Sequence, residues 1–200
     1  MDAFHALEKL LHGNRRYVTE RYAKTDVGLQ RRSQLVTYQD PFAVILGCSD
    51  SRIPPEIIFD QGLGDLFVVR TAGQVVADVV LGSIEYAVEH LNVRLVVVLG
   101  HGDCGAVKAA INNSLCLNHI ETIKQAIQPA VQKASTQSGE LLTNTIKANV
   151  EFGVWKLKTS SPILQRALTK KGLHIIGAIK DLHTGSVDFD IIGSNDFNGS

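Results

Sequence analysis

Four short, strongly apolar runs stand out in the sequence, and polar or glycine-rich residues follow each of them. The stretches between the runs carry apolar residues at a spacing near that of an α-helix. Apolar strands separated by helices are typical of a parallel sheet that helices cover on both faces. The sequence therefore predicts an α/β fold, with a mostly parallel central β-sheet of four to five strands flanked by helices. The predicted strands are 42–47, 66–70, 95–99 and 174–179, with a more exposed fifth strand at 186–190.

A chain of 200 residues is long enough to bury a full hydrophobic core. We predict a single domain over 1–200, consisting of an N-terminal helical arm over 1–38 and an α/β core over 39–200. In the arm, helical periodicity predicts a helix over 3–22, and the weaker pattern of 23–38 indicates a further short helix or arm. The remaining predicted helices are 76–91, one that begins near 105, 118–135, 139–158 and 161–171.

Charge and cysteine content narrow the choice of partners and compartment. Twenty basic and twenty acidic residues give a formal net charge of zero, so the sequence lacks the basic footprint of a nucleic-acid-binding protein. Three cysteines are too few for a disulfide framework, which favours a reducing, cytoplasmic compartment. We expect no membrane partner, because the apolar runs are too short to span a bilayer. The N-terminus shows no signal peptide, although a targeting segment could have been trimmed.

Two of the predicted strands end at potential metal ligands. Cys48 follows the first strand, and His101 and Cys104 follow the third. Because ligands bind beyond the carboxyl ends of parallel strands, these three side chains are expected to converge. Two thiols and one imidazole form a zinc ligand set with one open position, which is typical of catalytic rather than structural zinc. Cys116, twelve residues past Cys104, has no partner at short ligand spacing, and we interpret it as a bystander.

A carboxylate and a guanidinium follow Cys48 at short spacing. Asp50 is two residues after Cys48 and Arg52 is four residues after it. Arg52 would keep Asp50 ionised, so that Asp50 could orient a zinc-bound hydroxide by accepting its proton. If the pair opened, Asp50 could instead coordinate zinc as a fourth ligand and displace the water. The simpler alternative is a surface ion pair of little energetic value.

Two other interpretations compete with a metal site. Residues 100–105 match the dinucleotide-binding pattern G-x-G-x-x-G, with Glu121 at the distance expected for a ribose-binding acid. However, residues 115–119 make a poor buried strand, and this interpretation leaves Asp50 and Arg52 without a role. Cys48 could also be a nucleophile of the phosphatase type, but only three residues separate it from Arg52, where that arrangement has five.

The two motifs, C-x-D-x-R at 48–52 and H-x-x-C at 101–104, resemble those of the β-class carbonic anhydrases. The resemblance extends through most of the chain, including residues 6–18, 66–70 and 83–88. It implies that Cys48, His101 and Cys104 bind one Zn2+ per chain and that Asp50 and Arg52 form the catalytic dyad. The implied reaction is the reversible hydration of carbon dioxide to bicarbonate and a proton.

The resemblance also implies a substrate pocket and an assembly. Gln39, Phe67, Ala72 and Tyr86 match substrate-pocket positions of the plant-type branch, and Gln39 matches a glutamine that hydrogen-bonds bicarbonate. The family's pocket is shared across a dimer interface, so Gln39 could serve a neighbouring subunit's zinc. We therefore expect a homodimer or a dimer of dimers.

One bacterial branch of the family has an inhibitory bicarbonate site that uses a tryptophan and a tyrosine. Ile45 and Lys180 stand at those positions here, so we expect no such site and a formed Asp50–Arg52 pair near neutral pH. The same motifs also fit a hydrolase of carbonyl sulfide or carbon disulfide, because such hydrolases are expected to differ in pocket access rather than in zinc ligands. A non-catalytic zinc protein is the remaining alternative, but it would not need Asp50 paired with Arg52.

Overall fold

The computed structural model describes residues 1–23, 27–112 and 118–192, and the side chains as far as residue 189. The strands are β1 (Ala43–Cys48), β2 (Leu66–Thr71), β3 (Leu95–His101), β4 (His174–Lys180) and β5 (Val187–Ile192). The helices are α1 (Ala3–Val18), α2 (Leu29–Gln34), α3 (Pro55–Ile58), α4 (Asp78–His90), α5 (Gly105–Ile111), α6 (His119–Ala134), α7 (Leu141–Ser160) and α8 (Pro162–Lys170), with a short 3-10 helix at Ala72–Gln74.

The five strands form one sheet in the order β2-β1-β3-β4-β5. The first four strands are parallel, and β5 runs antiparallel to β4. The chain passes from β1 to β2 on one side and then returns to place β3 on the other side of β1. The strand order therefore reverses between β1 and β3, and a crevice at the carboxyl ends of these two strands is the place where such sheets bind ligands.

Alternate residues of the inner strands pack into separate hydrophobic layers. Val44 and Leu46 of β1 point to the layer formed with α4, α7 and α8. Ala43 and Ile45 point to the opposite layer, which includes α1 and Phe59 just after α3. Burial on both faces explains why the inner strands have no polar alternation and confirms the predicted fold class.

Helix α1 packs closely against the rest of the chain. Ala3, Ala6 and Leu10 recur at helical spacing and are buried in the same layer as β1. Asn14, one turn further on, is buried and donates to the carbonyl oxygens of Ile58 at 3.2 Å and Gly185 at 3.1 Å. Its Oδ1 accepts the backbone N–H of Val187 at 2.9 Å. Asn14 therefore joins the first helix to the sheet edge formed by β5.

Gly13 is the position of closest approach between α1 and the segment that follows α3. A Cβ atom at this position would lie 1.8 Å from the carbonyl oxygen of Phe59. Because a backbone group cannot move aside like a flexible side chain, Gly13→Ala is expected to lower the free energy of unfolding by about 1–3 kcal/mol or more. Urea denaturation would measure this loss. Exposed His12 is the matched control, and His12→Ala should change stability by less than about 0.5 kcal/mol. Equal effects of the two substitutions would contradict the packing described.

The predicted elements are all present, with local corrections. The first helix ends at Val18 and not at residue 22, because the chain turns at Glu20, whose φ is 55°. Strand β3 continues to His101 through its pairing with β4, so the predicted ligand lies within the strand. Helix α3 was not predicted, since four residues are too few to show periodicity. Cys116 and the segment 115–117 lie outside the described residues. Across the described ranges, no helix combines the length and the apolar character needed to cross a membrane.

Candidate metal centre and active site

The carboxyl ends of β1 and β3 bring three potential metal ligands together. Cys48 is the last residue of β1, His101 is the last residue of β3, and Cys104 is the N-cap residue of α5. One ligand atom from each lies within 4.8 Å of the others, and all three residues are buried. The two sulfur atoms are 4.0 Å apart, close to the distance of about 3.8 Å that tetrahedral zinc with Zn–S bonds of about 2.3 Å requires.

The imidazole of His101 is prepared to bind a metal ion. Its Nδ1 lies 2.8 Å from the carbonyl oxygen of Gly102, which can only accept, so Nδ1 carries the proton. This assignment leaves the lone pair on Nε2. Nε2 is buried and has no hydrogen-bond partner among the described residues. A buried unpartnered nitrogen is costly unless something binds it, and a metal ion beside the two thiols would satisfy it.

The two thiols influence each other's ionisation. A hydrogen bond from the Cys104 thiol lowers the pKa of Cys48, and the nearby His101 ring and the backbone N–H groups of Asp50 and Gly73 lower it further, against the opposing effect of burial. The same hydrogen bond raises the pKa of Cys104, because ionising that thiol would remove the donor and bring two negative sulfurs together. We therefore expect the metal-free pair to hold one proton around neutral pH.

A shared proton predicts the pH dependence of metal binding. Both sulfurs would bind metal as thiolates, so binding at about pH 6, where zinc-bound water keeps both of its protons, should release about one proton per ion, and affinity should rise about tenfold per pH unit. Calorimetric titration in buffers of different ionisation enthalpy would count the released protons. The release of two protons would show that both cysteines are thiols before binding, and the release of none would show two preformed thiolates.

Asp50 and Arg52 form a two-point ion pair beside these ligands. Arg52 Nε donates to Asp50 Oδ1 at 2.9 Å, and Nη2 donates to Oδ2 at 2.8 Å. The backbone N–H of Arg52 also donates to Oδ1 at 2.9 Å. These hydrogen bonds hold the pKa of Asp50 well below its usual range, so the carboxylate is ionised throughout the neutral range. In this arrangement the carboxylate is engaged by Arg52, and the metal-ligand cluster of the described residues consists of the two cysteines and the histidine alone.

Arg70 was missed by the sequence analysis, although it holds the loop that carries the dyad. Its Nε donates to the carbonyl oxygen of Cys48 at 2.9 Å, and its Nη2 donates to that of Asp50 at 2.6 Å. Arg70 pairs with Gly47 in the β1–β2 register, so its place beside this loop follows from strand pairing and left no local signal in the sequence. Two carbonyls bound by one guanidinium fix the direction in which the chain leaves β1.

The four predicted substrate-pocket residues lie further apart in the single chain than the three candidate metal ligands do. The rings of Phe67 on β2 and Tyr86 on α4 lie together, with centroids 6.5 Å apart. Ala72 is half-buried in the 3-10 helix, next to Gly73, whose N–H donates to Cys48 Sγ at 3.3 Å. Gln39 is exposed just ahead of β1. The structure therefore places Ala72 beside a residue that contacts the cluster and Phe67 with Tyr86 on the β2 edge.

The two positions that distinguish the inhibited branch lie in different surroundings. Ile45 is fully buried within β1. Lys180 is buried at the end of β4, opposite His101, and desolvation lowers its pKa. Its Nζ lies 5.8 Å from the centre of the Tyr17 ring and 3.5 Å from the carbonyl oxygen of Asp181. The expected absence of an inhibitory bicarbonate site stays a prediction.

Comparisons with known proteins agree with this geometry. A model of the carbonic anhydrase family matches residues 43–187. Carbonic anhydrase 2 of Mycobacterium tuberculosis is 40% identical over 184 residues, which cover 90% of this chain and 89% of that protein. A tetrameric β-carbonic anhydrase from Sordaria macrospora is 27% identical, with a TM-score of 0.73 over 80% of this chain and 85% of its own. A carbon disulfide hydrolase, at 16% identity and a TM-score of 0.53 over 81% of this chain and 84% of its own, shares the fold alone. The chain therefore belongs to the β-class carbonic anhydrase family.

Proposed function

We propose that this enzyme catalyses the zinc-dependent, reversible hydration of carbon dioxide to bicarbonate and a proton. Cys48, His101 and Cys104 would hold one zinc ion, and Asp50 paired with Arg52 would orient the attacking water. The observation that carries the proposal is the unpartnered Nε2 of His101 beside two thiols, next to an ionised carboxylate. Three protein ligands leave one coordination position for water, as in catalytic zinc sites.

When bound, zinc would supply a Lewis acid that lowers the pKa of water toward neutrality. Asp50 would then act through one particular oxygen. Its Oδ1 already accepts two hydrogen bonds, from the backbone N–H and the Nε of Arg52, whereas Oδ2 accepts one from Nη2. A carboxylate oxygen can accept about two hydrogen bonds, so Oδ2 retains a position for the O–H of the attacking water.

Arg52 sets both the charge and the direction of Asp50. Its Nη2 occupies one lone pair of Oδ2, and its hydrogen bonds keep Asp50 ionised, so that the other lone pair of Oδ2 would be free to accept the O–H of the attacking water. Arg70 also stabilises the backbone of the loop that carries Asp50 and Arg52, because it donates to the carbonyl oxygens of Cys48 and Asp50. The dyad is therefore held at the backbone and at the side chain before substrate arrives, which lowers the cost of orientation during the reaction.

The surroundings of the thiols suit an apolar substrate. Cys48 and Cys104 pack with Val107, Ala110, Ile127 and Ile146 in one buried cluster. An apolar wall accommodates carbon dioxide without competing for its oxygens.

We further propose that Gln39, Phe67, Ala72 and Tyr86 line a substrate pocket that a second subunit completes. Strand β2 is an edge strand whose six residues are all half-buried, and α4 beside it exposes 79% of Val79 and 47% of Tyr86. Such an edge with exposed apolar side chains favours association with another chain. The tetrameric relative from Sordaria macrospora supports a homodimer or a dimer of dimers.

A cytoplasmic location is consistent with the cysteine chemistry. Cys48 and Cys104 are free thiols, 4.0 Å apart at sulfur, and a reducing compartment would keep them available for metal. The expected partner is the small-molecule substrate alone, without nucleic acid or membrane.

Substrate choice is tested by comparing three heterocumulenes on the same zinc-loaded sample. Stopped-flow measurement should show fast carbon dioxide hydration, with hydrolysis of carbonyl sulfide and carbon disulfide slower by at least about 100-fold in kcat/KM. Carbon disulfide or carbonyl sulfide turnover faster than carbon dioxide hydration would replace the proposal with the hydrolase alternative. Bound metal with none of the three activities would indicate a non-catalytic zinc protein.

A further inference from the structure

A hydrogen bond to the metal-ligating sulfur of Cys48 comes from the segment that follows β2. The backbone N–H of Gly73 lies 3.3 Å from Cys48 Sγ. Gly73 has a φ of 68°, a left-handed conformation that favours glycine. A Cβ atom there would also lie 2.8 Å from Ile127 Cδ1 and 3.1 Å from Ala106 Cβ. The left-handed conformation therefore favours glycine at this position, and the close neighbours leave little room for a larger residue.

The carbonyl oxygen on the other side of the Gly73 Cα is bound by helix α7. Asn149 is 5% exposed, and its Nδ2 donates to the Gly73 carbonyl oxygen at 2.9 Å. Glycine rotates freely about φ and ψ, so an amide presented by glycine keeps its direction only if neighbouring groups are fixed. The hydrogen bond from Asn149 to the Gly73 carbonyl oxygen restricts ψ of Gly73, and the close packing around its Cα restricts φ.

The next residues show that this segment is held in an unfavourable conformation. Gln74 has a φ of 46° although it is not glycine, and its buried Oε1 has no hydrogen-bond partner in the described part of the chain. Each feature costs free energy and persists only where surrounding contacts enforce it. Helix α7 supplies two such contacts, Asn149 to Gly73 and Lys156 Nζ to the carbonyl oxygen of Val76 at 2.8 Å.

We propose that Asn149 is a positioning residue of the metal centre, which acts through the Gly73 backbone to hold an N–H donor on the sulfur of Cys48. The donor would fix the direction of the sulfur lone pairs that bind the metal ion. The inference rests on the metal site of the proposed function. Outer groups that orient ligands in this way typically change metal affinity by about 10- to 100-fold when they are removed.

The test compares metal affinity in variants of two α7 residues that hold the same segment. Asn149→Leu removes the donor at similar volume, and Asn149→Ser is a smaller second variant in case the first does not fold. Lys156→Met is the matched control, because it removes the other α7 hydrogen bond to this segment without contacting Gly73. Cobalt(II) is the probe, since its absorption reports thiolate ligation and competition with a chelator gives affinity. Thermal unfolding of the metal-free proteins measures stability separately.

We expect both Asn149 variants to bind cobalt about 10- to 100-fold more weakly and to shift the thiolate-to-cobalt absorption band. Lys156→Met should lose stability but keep affinity within about threefold of the wild type. Asn149 variants with wild-type affinity and spectrum, or Lys156→Met with an equal loss of affinity, would overturn the inference and leave the proposed function intact. A wild-type protein that binds cobalt without thiolate absorption would instead overturn the metal centre itself, and this inference with it.

Discussion

Replacing Asp50 with asparagine is expected to lower the kcat for carbon dioxide hydration by about 100-fold or more while zinc stays bound. Asparagine keeps the size of aspartate but carries no negative charge. It leaves Arg52 facing a neutral amide, which cannot satisfy both guanidinium hydrogen bonds now made at 2.9 Å and 2.8 Å. The Oδ2 atom that would accept the proton of the attacking water becomes either an amide N–H donor or a weaker acceptor. Stopped-flow hydration rates on samples of equal zinc content measure the effect.

Asp103 provides the control for this substitution. Its carboxylate also lies near Arg52, with Oδ2 4.0 Å from Nη1, but it is exposed and pairs with Lys108. The backbone of Asp103 has a φ of 57°, which asparagine tolerates well. Asp103→Asn should therefore retain kcat within about threefold, because an exposed ion pair contributes little. Similar losses from Asp50→Asn and Asp103→Asn would indicate a general effect of charge near the site and not an orienting role for Asp50.

Replacing Cys104 with serine is expected to remove the metal. Structural zinc sites with four protein ligands bind the ion with an apparent free energy of about 10–16 kcal/mol, or about 2.5–4 kcal/mol per ligand, so the loss of one thiolate is expected to weaken binding by about 100- to 1000-fold. Hydration should fall in proportion to bound zinc. The metal-free protein should change little in stability, because a serine hydroxyl can replace the thiol as hydrogen-bond partner of Cys48. Metal analysis after dialysis against a weak chelator measures retention.

Cys116 is the natural control for this loss of metal. The sequence predicts it to be a bystander, and Cys116→Ser should keep one zinc per chain and full activity. Equal loss of zinc from both serine variants would contradict the ligand set proposed here and would make Cys116 a ligand.

The three metal ligands could be predicted from the sequence because α/β proteins bind ligands at the carboxyl ends of their buried parallel strands. Cys48 and His101 directly follow apolar runs, and the alternation of strands and helices fixed the sheet edge at which they meet. The pairing of Asp50 with Arg52 also followed from short spacing, since residues two apart after a strand can reach each other in a tight turn. Local sequence patterns were therefore sufficient to predict the candidate metal ligands and the Asp50–Arg52 pair.

The supporting groups could not be predicted, because they act across long sequence separations. Asn149 reaches Gly73 from 76 residues away, and its residue type does not distinguish it from the other polar residues of α7. In the sequence, Arg70 is simply a polar residue at the end of a predicted strand. Only the β1–β2 register shows that it lies beside the loop that carries Asp50. Its role depends on tertiary pairing, as does the extension of β3 to His101 by β4.

Titration of the metal-free enzyme with zinc, with carbon dioxide hydration followed at each step, tests whether zinc at this site is the catalyst. The rate at mildly alkaline pH should rise in proportion to bound zinc and stop rising at one ion per chain. Zinc bound at one ion per chain without hydration, or hydration that does not depend on zinc, would contradict it.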